Sequence, residues 1–299
     1  MPDITIITVN WYSSEYLAEL FANLAQKAAS PDNLKVLIID NTNGKDTTIN
    51  RLKTPLMHSI IPFESRDMKS SLAHAAALDY AMNFIETDYT LVIDPDVYVF
   101  KKDWDKFCIN ELNASDAAAA GAPYPGWKLG KYHDFPSPVF CFFRTKMLKK
   151  LKVPWTPFGN TRVYNLKVFL IRQLARLCGV MTRRNYTKYG FLRRYAEFIE
   201  KLFGTFSQDT GWRIAKEAGN QKLLSIVFKA AMPEQTGLVP PDARTLFREL
   251  ANEYELYIYK DQLMLTHKYG TGVYLWKTKK GADKNYWLDC VRRLETALT

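Results

Sequence analysis

The tetrapeptide Asp94-Pro95-Asp96-Val97 holds the two carboxylates of this sequence most suited to chemistry. Proline fixes its own φ and restricts the residue before it, so the turn is stiff and can hold both acids near one point. Paired carboxylates in a cleft favour a hard divalent cation, which in turn binds phosphate oxygens. An Asp-Pro pair also opens many ordinary loops, so the metal-site interpretation depends on where this turn lies in the fold.

Polar residues also end two other apolar runs. ITIITVN ends in Asn10 and KVLIID ends in Asp40, while YTLVI leads directly into Asp94. Each run is rich in β-branched or aliphatic residues and has the length of a strand. Ligands of parallel sheets bind beyond the carboxyl ends of the strands. We therefore expect these polar groups to converge at one site, although each alone is also a common turn former.

Helical patterns separate these runs. Apolar residues recur with helical spacing between Ser13 and Pro31, and again from Ser70 to Glu86. Alternating strands and helices predict a parallel sheet, and continuously apolar strands predict that helices cover both of its faces. After residue 207 the pattern returns, with helices predicted over 209–219 and 243–253 and strands over 222–228 and 262–266. The sequence therefore predicts one elaborated α/β domain.

Positive charge is concentrated in one segment. The chain of 299 residues carries a formal charge of +10, and residues 160–206 hold ten Lys or Arg against two Glu, which gives 10 − 2 = +8. Two amphipathic helices are predicted within this segment.

The four cysteines are widely separated, so neither a zinc site nor a disulfide framework is predicted. No apolar run approaches the roughly 20 residues that cross a bilayer, and we expect a cytoplasmic protein.

The first hundred residues resemble family-two glycosyltransferases of GT-A fold. The resemblance rests on ITIITVNWYSSEYLAELFANL, KVLIIDNTNG and SSLAHAAALDYAMNFIETDYTLVIDPDVYVF, which present a Val-Asn-aromatic opening, an Asp-Asn pair and a DxD-type motif in order. It implies a nucleotide-diphospho-sugar transferase-like α/β fold, with a mostly parallel sheet and helices on both faces, to which the charge pattern adds a basic helical insertion. Within one domain over 1–299, it implies a nucleotide-sugar-binding part (1–159), the insertion (160–206) and a catalytic-base and acceptor part (207–299).

The same resemblance implies a role for each motif in binding a nucleoside-diphosphate sugar. Thr8, Val9 and Asn10 would line the nucleotide base, and Asp40 would accept a hydrogen bond from the base or ribose. Asp94 would contact the ribose or the sugar. Asp96 would ligate Mg²⁺ or Mn²⁺, and the cation would neutralise charge on the departing diphosphate.

Two later residues complete the implied site. The segment QDTGWR resembles the family's acidic pair at a helix start, which makes Asp209 the general base that deprotonates an acceptor hydroxyl in an inverting transfer. We expect Asp209 in the first turn of a helix capped by Ser207, where acids without catalytic function are also common. His267 would be a metal ligand or a diphosphate contact, or else a structural residue. Arg66 and His74 lie where relatives contact the donor, but this segment departs from the usual pattern.

The basic segment 160–206 has three interpretations. It fits a pair of interfacial helices on an anionic membrane, which would suit a lipid-linked glycan as acceptor. Alternatively, its arginines could reach the donor phosphates, or the helices could simply pack on the domain with a solvated face. Membrane contact would place the protein peripherally at the cytosolic membrane face, and nucleic acid is not an expected partner.

Two other functions remain open at this stage. A nucleotidyltransferase also combines an α/β sheet with paired acids and a divalent ion, but its Gly-rich, basic opening loop is missing here. A non-catalytic protein could use the basic segment to bind a polyanion or a membrane. Neither a P-loop nor a dinucleotide fingerprint follows the first strand, which argues against those nucleotide-binding classes.

Overall fold

The computed structural model describes residues 3–65, 68, 70–157, 162–177, 183–268 and 282–298. Eleven strands occur in these residues: β1 (Ile4–Asn10), β2 (Leu34–Asp40), β3 (Met57–Pro62), β4 (Tyr89–Ile93), β5 (Val97–Val99), β6 (Ala119–Ala122), β7 (Phe140–Arg144), β8 (Ser225–Val227), β9 (Lys229–Ala230), β10 (Glu255–Tyr259) and β11 (Gln262–His267). The helices are α1 (Ser14–Lys27), α2 (Ser70–Ala81), α3 (Trp104–Ser115), α4 (Thr145–Lys150), α5 (Arg162–Leu177), α6 (Arg183–Lys188), α7 (Gly190–Phe203), α8 (Trp212–Asn220), α9 (Arg244–Glu253) and α10 (Lys284–Leu298).

The central sheet has the order β3-β2-β1-β4-β7-β6-β8 among the described strands. Strands β3, β2, β1 and β4 are parallel, and β7 alone runs against its neighbours β4 and β6. In the register of β1 and β2, Asn10 lies opposite Asp40, so the polar ends of the two strands meet at one edge. The predicted mostly parallel sheet is confirmed.

Helices cover both faces of this sheet, as the unbroken apolar strands predict. All seven residues of β1 are buried. One face packs against α1 through Leu17, Leu20, Phe21 and Leu24. The other packs against α2 through Ala77, Leu78 and Ala81. Helix α2 ends at Ala81, earlier than the sequence pattern predicts, and continues as a short 3-10 turn to Phe84.

A second, antiparallel sheet has the order β5-β11-β10-β9. Helices α9 and α10 pack on it through a cluster that includes Phe247, Leu250, Trp287 and Val291. The sequence predicts only β11 of this sheet. The sheet is important for the site because β5 follows Asp96 directly and β11 ends at His267.

The described part of the basic segment forms helices α5, α6 and α7, and the two long helices occupy the regions where the sequence predicts them. Ile171, Leu192 and Ile199 pack with Trp127 and Tyr186 in one apolar cluster. No helix in the described parts of the chain is long and apolar enough to cross a membrane.

Candidate active site

The edge of the central sheet is fixed by hydrogen bonds between strand ends. Asn10 Nδ2 donates to Asp40 Oδ1 and Asp46 Oδ2, both at 3.0 Å, while its Oδ1 accepts from the backbone and hydroxyl of Ser13 at 2.9 and 3.0 Å. Asp40 also accepts hydrogen bonds from Thr42 and from the backbone of Gly44 at 2.8 Å. This network joins β1, β2 and the following loop into a rigid corner.

All of the residues predicted to line the nucleotide base are buried. Thr8 and Asn10 are 0% exposed, Asp40 is 1% and Val9 is 5% exposed. Thr8 Oγ1 has no hydrogen-bond partner among the described residues. Their roles in binding a base therefore remain predictions, and Asp40 makes contacts that also serve the fold.

Asp94, Asp96 and His267 meet where the two sheets join. His267 Nε2 lies 3.1 Å from Asp96 Oδ1 and 3.7 Å from Asp94 Oδ2. The pairing of β11 with β5 aligns His267 with Val97, which fixes the imidazole beside the acids. Two acids that follow β4 and an imidazole from a strand far along the sequence therefore converge. Asn10 and Asp40 meet each other, and the expected convergence of that pair with the two acids stays a prediction.

A buried glutamate and lysine lie behind His267. Glu255 Oε2 is 2.9 Å from His267 Nδ1, and Lys128 Nζ is 2.8 Å from Glu255 Oε1. Burial alone would raise the pKa of Glu255, but the charges of Lys128 and His267 hold it far below its ordinary value. Burial would lower the pKa of His267, but Asp96 and Glu255 raise it to about 9. The imidazole is thus fixed from both of its nitrogens.

Asp209 precedes helix α8 and does not lie in its first turn. Gly211 adopts φ +83°, a left-handed conformation that interrupts the helix, so α8 begins at Trp212. The expected helical position of Asp209 and the expected cap by Ser207 are therefore wrong, and the Ser207 hydroxyl accepts a hydrogen bond from Arg172 instead. The helix dipole therefore does not act on this carboxylate in the way that the predicted position implied. Lys131 Nζ contacts Asp209 Oδ2, and burial together with the charges of Lys128 and Arg172 lowers the pKa of Lys131 well below its ordinary value.

A chain of contacts connects Asp209 to the acids at the end of β4. The next residue, Thr210, donates through its hydroxyl to Ser71 O on α2 at 3.1 Å. One turn later on α2, His74 Nε2 lies 3.5 Å from Asp94 Oδ1. Burial lowers the pKa of His74, although the charge of Asp94 opposes this. The turn that carries Asp209 and the DxD-type turn therefore pack against the same helix.

A comparison with known families agrees with this architecture. Residues 3–172 match Glycosyl transferase family 2, which is more than half of the chain. The chain belongs to this family. Its mostly parallel sheet with helices on both faces is the GT-A type of α/β fold.

Three solved structures are distantly similar to this family 2 chain. The mannosyltransferase PcManGT from Pyrobaculum calidifontis, in complex with GDP-Man and Mn²⁺, is 14% identical over 72% of this chain and 68% of its own, with a TM-score of 0.44. TarS from S. aureus is 18% identical over 52% of this chain and 30% of its own, with a TM-score of 0.39. Residues 1–349 of TarS with UDP-GlcNAc give 18% identity over 52% and 48%, with a TM-score of 0.38. No curated protein sequence matches the chain significantly.

The family implies a divalent cation, and the types of donor atom present here fit one. Within the described ranges, no three His, Cys, Asp or Glu side chains are arranged to hold a metal ion by themselves. Carboxylate oxygens with one imidazole suit Mn²⁺ better than Ca²⁺, and Glu255 behind His267 is the carboxylate that commonly orients a ligating imidazole.

Sequence reasoning missed several residues of this family 2 site. Glu255 and Lys128 gave no motif, although a glutamate that opens the apolar strand ELYIY is an unusual buried charge. His74 was noticed only as a doubtful donor contact. Arg66 lies outside the described residues, so that prediction is not addressed.

Proposed function

We propose that this family 2 glycosyltransferase moves a sugar, with inversion, from a nucleoside-diphosphate sugar to an acceptor hydroxyl on a glycan or lipid-linked glycan, assisted by Mg²⁺ or Mn²⁺. The observation that carries the proposal is the convergence of Asp94, Asp96 and His267 at the carboxyl edge of the sheet. Membership of the family favours glycosyl transfer over nucleotidyl transfer and over passive polyanion binding.

In this proposal the protein positions the leaving diphosphate. Asp96 would hold the cation together with His267, whose imidazole must be neutral to ligate it, and Asp94 would contact the ribose or sugar. When bound, the cation supplies Lewis-acid stabilisation of the charge on the departing diphosphate. Glu255 fixes the ring of His267, and the stiff Asp94-Pro95-Asp96 turn fixes the spacing of the two acids.

Asp209 is the proposed general base. Its side chain is 19% exposed and contacts Lys131 Nζ. An inverting transfer needs such a carboxylate within hydrogen-bond reach of the acceptor hydroxyl, on the face of the sugar opposite the diphosphate. The acceptor would therefore bind between Asp209 and the donor sugar.

Replacement of Asp96 by Asn tests the cation site. The amide has no negative charge, so we expect metal-dependent release of nucleoside diphosphate to fall by about a hundredfold or more, as loss of one main electrostatic contact does. The measurement is turnover across a panel of nucleotide sugars, with Mn²⁺, Mg²⁺ or chelator. Asp116→Asn, an exposed acid in the loop after α3, is the control. Unchanged turnover of Asp96→Asn in Mn²⁺ would remove Asp96 from the site.

Replacement of Asp209 by Asn separates binding from transfer. We expect the donor affinity to stay close to that of the wild type, because Asp209 is assigned to the acceptor side, while transfer falls by roughly two to four orders of magnitude. Donor affinity is measured by calorimetry, and transfer by product formation. A variant that transfers sugar at the wild-type rate would refute the assignment of the base.

A further inference from the structure

Helices α5 and α7 each carry an apolar stripe that the fold leaves exposed. Six large apolar side chains in these helices are between 54% and 69% exposed: Leu166, Phe169, Leu170, Phe191, Phe198 and Leu202. Only four others in the described chain, Trp11, Tyr12, Met57 and Leu224, exceed half exposure. The apolar surface is thus concentrated on one insertion.

These stripes are separate from the faces that pack on the domain. In α7, Leu192 and Ile199 are buried in the apolar cluster, whereas Phe191, Phe198 and Leu202 recur at intervals of seven and four residues along another side. In α5, Ile171 is buried while Leu166 and Leu170, four residues apart, are exposed. A helix on a soluble surface normally presents polar residues on its outward side. Helices α5 and α7 differ because each exposes apolar residues in addition to those that it buries against the domain.

Exposed cations border the stripes. Lys167 lies within the α5 stripe region, and Arg194 and Lys201 lie beside the α7 stripe. The segment 160–206 carries +8 of the +10 charge of the chain. A second copy of this chain would bring the same excess of cations against this one, whereas an anionic surface would neutralise it. Apolar side chains flanked by Lys and Arg are the composition of helices that lie in the interface of a bilayer.

We propose that the exposed stripes of α5 and α7 dock the protein on an anionic lipid bilayer. Burial of the apolar side chains below the headgroups and attraction of the flanking cations to acidic lipid act together. The docking face belongs to the helical insertion, whose Arg172 hydrogen-bonds Ser207, two residues before Asp209. If the proposed function holds, docking brings Asp209 to a lipid-linked acceptor at the membrane surface.

Vesicle co-sedimentation of the full chain, in chelator and without nucleotide, tests the docking alone. We expect binding to vesicles of phosphatidylcholine with phosphatidylglycerol, weaker binding to phosphatidylcholine alone, and binding that falls as salt rises. Phe198→Ser with Leu202→Ser should weaken binding roughly tenfold, because two interfacial apolar anchors are lost. The matched control is Met57→Ser with Leu224→Ser, which removes equally exposed apolar side chains elsewhere and should bind like the wild type.

Leu166→Ser with Leu170→Ser on α5 provides a second variant, and thermal melting checks that each variant folds. Both stripe variants should keep wild-type diphosphate release with a water-soluble acceptor, so loss of docking is distinguishable from loss of catalysis. Three results would overturn the proposal: no vesicle binding by the wild type, equal binding by folded stripe and control variants, or a lipid-free dimer in light scattering that the stripe variants dissociate.

Discussion

At the scale of single residues, the site depends on charges buried in compensating pairs. Glu255 is 1% exposed and Lys128 is 8% exposed, and the Tyr257 hydroxyl donates to Glu255 at 3.1 Å. A buried charge is tolerated only when partners replace the water that it has lost. Glu255 therefore joins the loop that carries Lys128 to the strand that carries His267, and Lys128 has a structural function as well as an electrostatic one.

Replacement of Lys128 by Met tests this pairing. The variant keeps the apolar stem but leaves Glu255 with one less positive partner in a buried environment, so we expect a loss of about 3 kcal/mol in the free energy of unfolding, within the range for breaking a buried ion pair. Chemical denaturation measures it. Lys260→Met, which removes a 63% exposed lysine paired with Glu111, should melt like the wild type. If both variants unfold at the same denaturant concentration, the buried pair has no special importance.

At the scale of elements, helix α7 is held to the loop between β6 and β7 by a titratable contact. His133 Nε2 lies 2.9 Å from Glu200 Oε1 on α7, and His133 Nδ1 lies 2.6 Å from Tyr124 O. The backbone of Gly130 donates to the same glutamate oxygen at 2.6 Å. Burial would lower the pKa of His133, but the hydrogen bond and charge of Glu200 raise it above its ordinary value.

The raised pKa of His133 predicts how the stability of the folded protein changes with pH. A group whose pKa is higher in the folded state adds stability that is complete below its unfolded pKa, about 6.5 for histidine, and is lost as pH rises through the folded value. The melting temperature of the wild type should therefore be higher than that of His133→Gln, and this difference should be larger at about pH 5.5 than at about pH 9. His58→Gln, a half-buried histidine on β3, is the control. A difference that is constant with pH would contradict the assignment.

The elements also show where sequence reasoning succeeds. Strands β1, β2 and β4 and helices α1 and α2 were predicted because long apolar runs and helical spacing are local signals. The sequence could not predict that Asp96 and His267 are in contact. Their contact depends on the pairing of β5 with β11, which are about 170 residues apart in the chain. The start of α8 was misplaced because a glycine at positive φ is not distinguishable, from sequence alone, from one inside a helix.

At the scale of the whole molecule, the two sheets share one core. Val97, Tyr257 and Leu265 of the small sheet pack in the same cluster as Leu91 and Phe140 of the central sheet. The side chain of Asn23 on α1 bonds both backbone groups of Val99, at 2.7 and 3.0 Å, so the first helix of the chain holds the first strand of the small sheet. The metal-site proposal requires this joint, since Asp94 and His267 come from its two sides.

A shared core predicts that the chain unfolds as one unit. Trp287 on α10 is 2% exposed and packs against Tyr254 at a ring distance of 6.4 Å. Trp287→Ala should lower the free energy of unfolding by about 3–5 kcal/mol, because it leaves a large cavity. Because the small sheet is continuous with the central core, the loss should move the whole thermal transition rather than split it.

Differential scanning calorimetry measures this effect, and Leu298→Ala is the matched control because the same helix leaves Leu298 39% exposed. The control should change the free energy of unfolding by no more than about 0.5 kcal/mol. A Trp287→Ala variant that shows a separate low-temperature transition would mean that the small sheet unfolds alone. In that case the chain would not behave as a single domain, and His267 could separate from Asp94 and Asp96 while the central sheet stayed folded.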